Sequence, residues 1–472
     1  MGSFVGAFGS IKLLAMSSEF ANGGPSEGWR AAVLAAPPAE GEWARWALGV
    51  AKGVPAVVSE RPLAWIGAGR RMLGWFPQAT FGGGLLRAAR DFRAWAASAR
   101  LGLAEGGAHL TALGAFDYDG LGGDLVVPGV ALIHEDETRL VWHESRGAVA
   151  RALLEAAENS GTAGGGLGNA APRQLREAAE DRENCEPAAA QTPAEIRESA
   201  PEWTALEPTV PLADWQDSLQ RGIDRLNAGE AAKFVMARDQ RFCADRPVHI
   251  AGVLRSLAGM NLEPQPTAWV FAIRDLVGAT PEVLARTSGG RFHARILAGT
   301  RPAGCGEELL ADPKEWAEHQ AARASVTEKL RSLGMSDVQV SEPHLLHLPN
   351  VDHLQTTITA ATDQDSAQLA AAFHPTAAIC GTPTEAAERI IREIEGMERG
   401  AFTGPVGWIN ADGDGQWNIA LRCAQTEVSA GSSREWRLLA GAGIMPASSV
   451  KRETAETGVK MGLMRAALGI EG

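Results

Sequence analysis

Between Glu42 and Gly147 short apolar runs alternate with turns: PLAWIGAGRRMLGW, HLTALGAFDYDG, GDLVVPGVALIHED and TRLVWHE. Runs of that length bounded by Gly, Asp and Pro predict strands. One stretch changes period: from Leu85 to Leu103 the apolar spacing is that of an amphipathic helix. From Trp215 the pattern is denser, with a helix (WQDSLQRGIDRLNAGE) leading into a strand (AKFVMARDQRF). Strands and turns continue through VFAIRDLVGATPEVLAR and RFHARILAGT. Asp312 followed by Pro313 predicts an N-cap and first helical residue, an arrangement that helix starts favour. A helix (TPTEAAERIIREIEGM), a strand–turn–strand (GPVGWINADGDGQWNIALRCA), the segment LLAGAGIM and a last helix complete the chain. Helices and strands mix without regular βαβ spacing, which predicts an α+β fold.

The pattern divides the chain. Residues 1–28 read as a flexible tail and 29–155 as a strand-rich N-terminal part. In 156–200 Gly, Ala, Pro and charge dominate and aromatics vanish, so this segment is expected to be a mobile linker or surface excursion. Residues 201–472 hold the densest alternation and the candidate chemistry.

Composition narrows the function. A formal net charge of −13 over 472 residues argues against nucleic acid or an anionic membrane as partner. Five dispersed cysteines without metal-site spacing suggest reduced thiols in a cytoplasm. No run reaches the roughly 20 apolar residues of a membrane helix, and Lys12 interrupts the mildly apolar N-terminus, which lacks a basic leader. A cytoplasmic protein is expected. Asn410-x-Asp412-x-Asp414-Gly415 imitates a calcium loop, but Leu421 stands where a bidentate Glu is required, so a hairpin turn is expected. No H-E-x-x-H or G-x-S-x-G arrangement occurs.

The informative residues are isolated charges in apolar segments. Lys233 lies in AAKFVMAR, in phase with Val235 and Ala237; such a lysine is either turned to solvent on an edge or functional. Glu282 follows Gly278-Ala279-Thr280-Pro281, a common enough setting. Glu318 borders the small-residue side of its helix, three and four residues before Ala321 and Ala322. Glu453, Glu456 and Lys460 share one face of the last helix. An exposed Glu456–Lys460 pair is the plain account, and a metal-binding carboxylate pair with an anion-binding lysine the sharper one. LLAGAGIM could form a backbone nest for an anion.

The strings GEAAKFVMAR, GATPEVLAR, LAGTRPAG, EWAEHQ, HLQTTI, FHPTAAICGTP, GPVGW, DGDGQWNIALRCA, LAGAGIMPAS and ETGVK occur in that order over residues 215–469. In this order they closely resemble the chorismate-utilising family: isochorismate, anthranilate, aminodeoxychorismate and salicylate synthases. The resemblance implies that family's fold, with large antiparallel sheets packed together and helices outside, and makes 201–472 the chorismate-binding catalytic region. It implies Lys233 as general base and Glu282 as general acid. Glu318 and Glu456 correspond to ligands of Mg2+, with Glu453 acting through water. Arg422, Lys460 and the backbone of Gly441, Ala442 and Gly443 correspond to groups holding the substrate carboxylates, while Gly299, Thr300, His353 and Ala378 line the same pocket.

The wording also resembles one subtype. Ala298 stands where aminodeoxychorismate synthases place an attacking lysine, and FHPTAAICGTPTEA resembles the isochorismate synthase form, apart from Ala377 in place of a second proline. The implied reaction is addition of water at carbon 2 of chorismate with loss of the carbon-4 hydroxyl. No glutamine amidotransferase partner is needed. A salicylate synthase, which also expels pyruvate, is the alternative; a non-catalytic family member is the least favoured. Limited proteolysis is expected to cut first within 158–198, and earliest cuts in the C-terminal half would refute the linker assignment.

Overall fold

The computed structural model describes residues 29–33, 43–52, 54, 57, 60–67, 70–98, 110–135, 138–161, 200–261, 268–302, 304, 306–347, 351–426 and 431–471. The tail 1–28 lies outside the described residues, as does most of segment 156–200. The Ala-rich helix Gly147–Gly161 runs past residue 155, so the boundary placed there from composition falls inside a helix. The helix expected to reach Leu103 is described as Leu85–Ser98, and residues 99–109 lie outside the described set.

Among the described residues twenty strands pair antiparallel in one network, an α+β architecture with helices packed on its faces. Its path explains the placement of the site. Lys233–His249 pairs with Ser432–Ile444, which continues through Cys423–Gln425 to the hairpin of Leu276–Thr280 and Trp269–Ile273. The N-terminal strands come next: Leu63–Ile66, Arg71–Gly82, Gly123–His134 and Thr111–Phe116. The path then re-enters the C-terminal part at Pro405–Asn410 and passes through Gly415–Ile419, Val283–Ser288 and Arg291–Pro302 to Val351–Ala361. The N-terminal strands are thus the middle of the network, not a separate layer. Leu276–Thr280 and Val283–Ser288 belong to opposite arms, yet only Pro281 and Glu282 separate them in sequence. Glu282 therefore stands where the arms meet.

Three clusters of buried side chains hold this arrangement. The first lies under the helices Leu85–Ser98 and Ser366–Phe373 and includes Trp65, Phe92, Phe116, Phe271, Phe292 and Trp417. The second lies under the helices Trp43–Lys52, Ile250–Asn261 and Val450–Leu468. The third closes the helices Leu212–Asn227 and Thr384–Ile394 over Phe234, Met236, Ala442 and Ile444. Leu212–Asn227 docks through Trp215, Leu219, Ile223 and Leu226, a spacing of three and four that makes one apolar stripe.

A buried ion pair ties the third cluster to the first. Arg399 is 4% and Glu395 3% exposed. The guanidinium donates to both Glu395 oxygens at 2.6 Å, to Ile379 O at 2.9 Å and to Val235 O at 2.8 Å. Glu395 Oε2 also accepts from Ala237 N at 2.8 Å. The Tyr118 ring, from the N-terminal strands, stacks 4.5 Å from the guanidinium carbon. Removing one partner strands the other charge out of water, so Arg399→Ala is expected to lower unfolding stability by about 3–5 kcal/mol. Urea denaturation checks this, and a loss under about 1 kcal/mol contradicts it.

Candidate active site

Lys233 is the first residue of its strand, held between two neighbours. On one side Thr382 lies opposite it, and Gly381, with φ +148°, brings that segment in so close that a Cβ would lie 2.2 Å from Lys233 O. On the other side Gly443 is opposite Val235. A Cβ on Gly443 would lie 3.0 Å from Lys233 Cε and 3.5 Å from Nζ, so the missing side chain is what lets the lysine cross this strand. The expected alternation holds: Phe234 and Met236 turn into the third cluster, while Ala237 joins the first.

Glu282 caps the junction between the arms. Its carbonyl accepts from Ile419 N at 3.0 Å and its amide lies 3.3 Å from Thr280 Oγ1. Burial pushes its carboxyl up, and the nearby Lys233 and Lys460 oppose the shift. Burial pushes Lys233 down; Glu282 opposes this and Lys460 adds to it. One desolvated pocket thus moves an acid and a base toward their neutral forms.

The last helix begins at Ser449, whose hydroxyl accepts from Arg452 N, and spans Val450–Leu468. Buried Arg238 fixes it to the Lys233 strand by donating to Thr457 Oγ1 at 2.7 Å and Thr454 O at 3.3 Å. Lys460 Nζ donates to Gly441 O at 2.9 Å and pairs with Glu456 Oε1 at 2.7 Å. The plain Glu456–Lys460 pair is therefore present, but both groups face the site. Arg422, with φ +49°, is half-buried and its pKa is lowered by burial, with Glu456 opposing. Glu453 is 2% exposed and pairs with Arg452 at 3.1 Å.

One expectation needs correction. LLAGAGIM is not a nest: Ser432–Ile444 is a regular strand, and Gly441 and Gly443 have no positive φ. Among the described residues its second edge pairs with a strand only as far as Leu439, opposite Cys423, and beyond it Gly441 O accepts from Lys460 while Ala442 and Gly443 have no strand on that side. Ala442, by strand alternation, buries its methyl in the cluster with Phe234 and contributes only backbone to that edge.

The remaining candidates lie on the strands Arg291–Pro302 and Val351–Ala361, on the helix Pro313–Ser332 and at Ala378. Gly299, with φ +81°, sits in an irregularity between Leu297 and Thr300, and its backbone passes under the helix Pro313–Ser332, where a Cβ would lie 3.3 Å from Glu315 O. His353 is opposite Thr300 and its pKa is lowered by burial. The side chains of Thr300 and Glu318 lie outside the described ones. Glu318 occupies a helix position one turn before Ala322, which lines a cavity of about 1310 Å³ together with Glu282 and exposed Ala378. Another cavity, of about 550 Å³ beside Arg241 and Arg437, contains none of the predicted residues.

No group of three or more candidate metal ligands occurs among the described residues. Glu453 and Glu456 are nonetheless oxygen donors one turn apart on one helix, and hard divalent cations take that chemistry. Sequence reasoning missed Arg238, Arg399 and Glu395. The i,i+4 spacing of Glu395 and Arg399 was a signal, but it is equally the signature of a solvated helix pair.

Comparison with known proteins fits this geometry. The sequence model of the chorismate binding enzymes matches residues 167–469. Isochorismate synthase DhbC of Bacillus subtilis is 32% identical over 288 residues, covering 56% of this chain and 70% of that protein. A crystal structure of a putative 2,3-dihydroxybenzoate-specific isochorismate synthase from Bacillus anthracis superposes with a TM-score of 0.63 at 25% identity, covering 89% of this chain and 100% of that one. The menaquinone-specific isochorismate synthase MenF of Escherichia coli shares the fold, with a TM-score of 0.65 at 20% identity over 93% of this chain and 95% of that one. A family match over most of the chain, meeting the Lys233–Glu282 pocket within its bounds, places this protein in the chorismate-binding enzyme family.

Proposed function

We propose that the chain is a magnesium-dependent isochorismate synthase. One observation carries the mechanism: burial in a single pocket lowers the pKa of Lys233 and raises that of Glu282. A base and an acid tuned in opposite directions suit simultaneous proton uptake and delivery.

Neutral Lys233 takes a proton from water as its oxygen bonds to carbon 2 of chorismate. The ring double bond shifts, the bond from carbon 4 to its hydroxyl breaks, and Glu282 delivers the proton that lets it leave as water. Lys233 then loses its proton to solvent and Glu282 regains one. Lys460, Arg422 and the backbone of Gly441–Gly443 hold the substrate carboxylates. Glu456 and Glu318 would hold Mg2+, with Glu453 through water, and the ion would supply positive charge that offsets the repulsion of the substrate dianion by these glutamates.

Incubation with chorismate and Mg2+ should yield isochorismate; salicylate plus pyruvate, or no product, would overturn the assignment. Chelation should abolish turnover, and Glu456→Ala should raise the metal requirement sharply; full activity in metal-free buffer contradicts both.

Lys233→Ala and Glu282→Gln should each lower kcat about 100-fold or more with chorismate still bound. The active form needs Lys233 neutral and Glu282 protonated, so the parent pH–rate profile is bell-shaped. Without Lys233 the rate should only fall as pH rises, through loss of the Glu282 proton. Without the Glu282 acid it should only rise, as Lys233 gives up its proton. Turnover within a few-fold of the parent in either variant would overturn these roles.

A further inference from the structure

The cavity that Glu282 lines is wider than the reacting centre requires. Its volume is about 1310 Å³, whereas sites for small ligands run to roughly 300–1,000 Å³. Gly381 and Thr382, which pair with the Lys233 strand, form its inner wall beside Glu282. Outward it runs between the helix Pro313–Ser332 and the strand Arg291–Pro302.

That strand carries three arginines, and two have a carboxylate. Arg291 pairs with Asp337 at 2.7 Å, and Arg301 with Asp312. Arg295, on the cavity wall, has no carboxylate partner among the described residues. His353 lies near enough that Arg295 adds to the lowering of its pKa, behind the larger effect of burial. Lys329 on the facing helix adds a second cation to the wall, with Glu328 beside it. A cation held at a cavity wall without a carboxylate partner among the described residues, in a chain of net charge −13, is placed to attract an anion from outside.

We propose that the outer cavity is the path by which the dianionic substrate reaches the site, and that Arg295 captures one of its carboxylates on the way in. This rests on reading the inner pocket as a chorismate site and adds a residue that acts before chemistry. Arg295 takes no part in proton transfer; it raises the local concentration of substrate ahead of Glu282.

The test measures kcat and KM for chorismate in the parent, Arg295→Ala and Arg295→Glu at low and high ionic strength. Arg291→Ala, whose arginine already has its carboxylate, is the control. At low salt KM should rise about two- to fivefold for Arg295→Ala and more for Arg295→Glu. In both, kcat and melting temperature should stay at the parent value, and Arg291→Ala should leave KM unchanged. The KM differences should shrink in high salt, where screening shortens the reach of the charge. Parent-like KM in both Arg295 variants at low salt overturns the proposal, as does a fall in kcat at unchanged KM. A parent that neither binds nor converts chorismate overturns the reading of the inner pocket first, and this inference with it.

Discussion

The buried Arg399–Glu395 pair is the constraint on which the site depends. Its hydrogen bonds end on the carbonyl of Val235 and the amide of Ala237, two and four residues along the strand from Lys233, and on Ile379, in the loop leading to Gly381. Two dehydrated charges are stable there only because nearly every donor and acceptor finds a partner. The pair fixes the Lys233 strand against the loop that closes the pocket beside Glu282. Tyr118, in the turn between Thr111–Phe116 and Gly123–His134, stacks on the same guanidinium and ties the N-terminal strands to that contact.

The pocket balances burial against charge. Desolvation favours the neutral form of an ionisable group, and an opposite charge nearby opposes it. Lys460 keeps Glu456 and a backbone carbonyl as partners. Lys233 and Glu282 oppose each other's shifts without cancelling the effect of burial. The result is an inner region where an acid and a base are both shifted toward their neutral forms beside the Lys460–Glu456 pair, inside a protein whose overall charge repels anions.

Much of this was legible in the sequence, for identifiable reasons. Period-two alternation located the Lys233 strand, and Asp312–Pro313 located the helix Pro313–Ser332. The missing twelfth ligand separated a hairpin from a calcium loop, and Pro405–Asn410 does pair with Gly415–Ile419 around that turn. The order of short strings carried the family, because no single charge among them was distinctive. What failed depended on which edge or face a residue presents. Glycine composition suggested a nest where the chain runs as a straight strand whose second edge pairs only as far as Leu439. Arg399 and Glu395 were invisible because burial, not spacing, separates a structural ion pair from a solvated one.

Every side chain assigned here to proton transfer lies within residues 201–472, yet that half is not a self-sufficient cassette. Trp269–Ile273 and Pro405–Asn410 are buried strands whose outer hydrogen bonds go to Leu63–Ile66 and Thr111–Phe116. Severed from them, the catalytic half would present two apolar edges, which recruit neighbouring chains and drive aggregation. Gene fusions, split reporters and chimaeras built on this scaffold must therefore carry residues 63–134 along, or supply strands that close both edges.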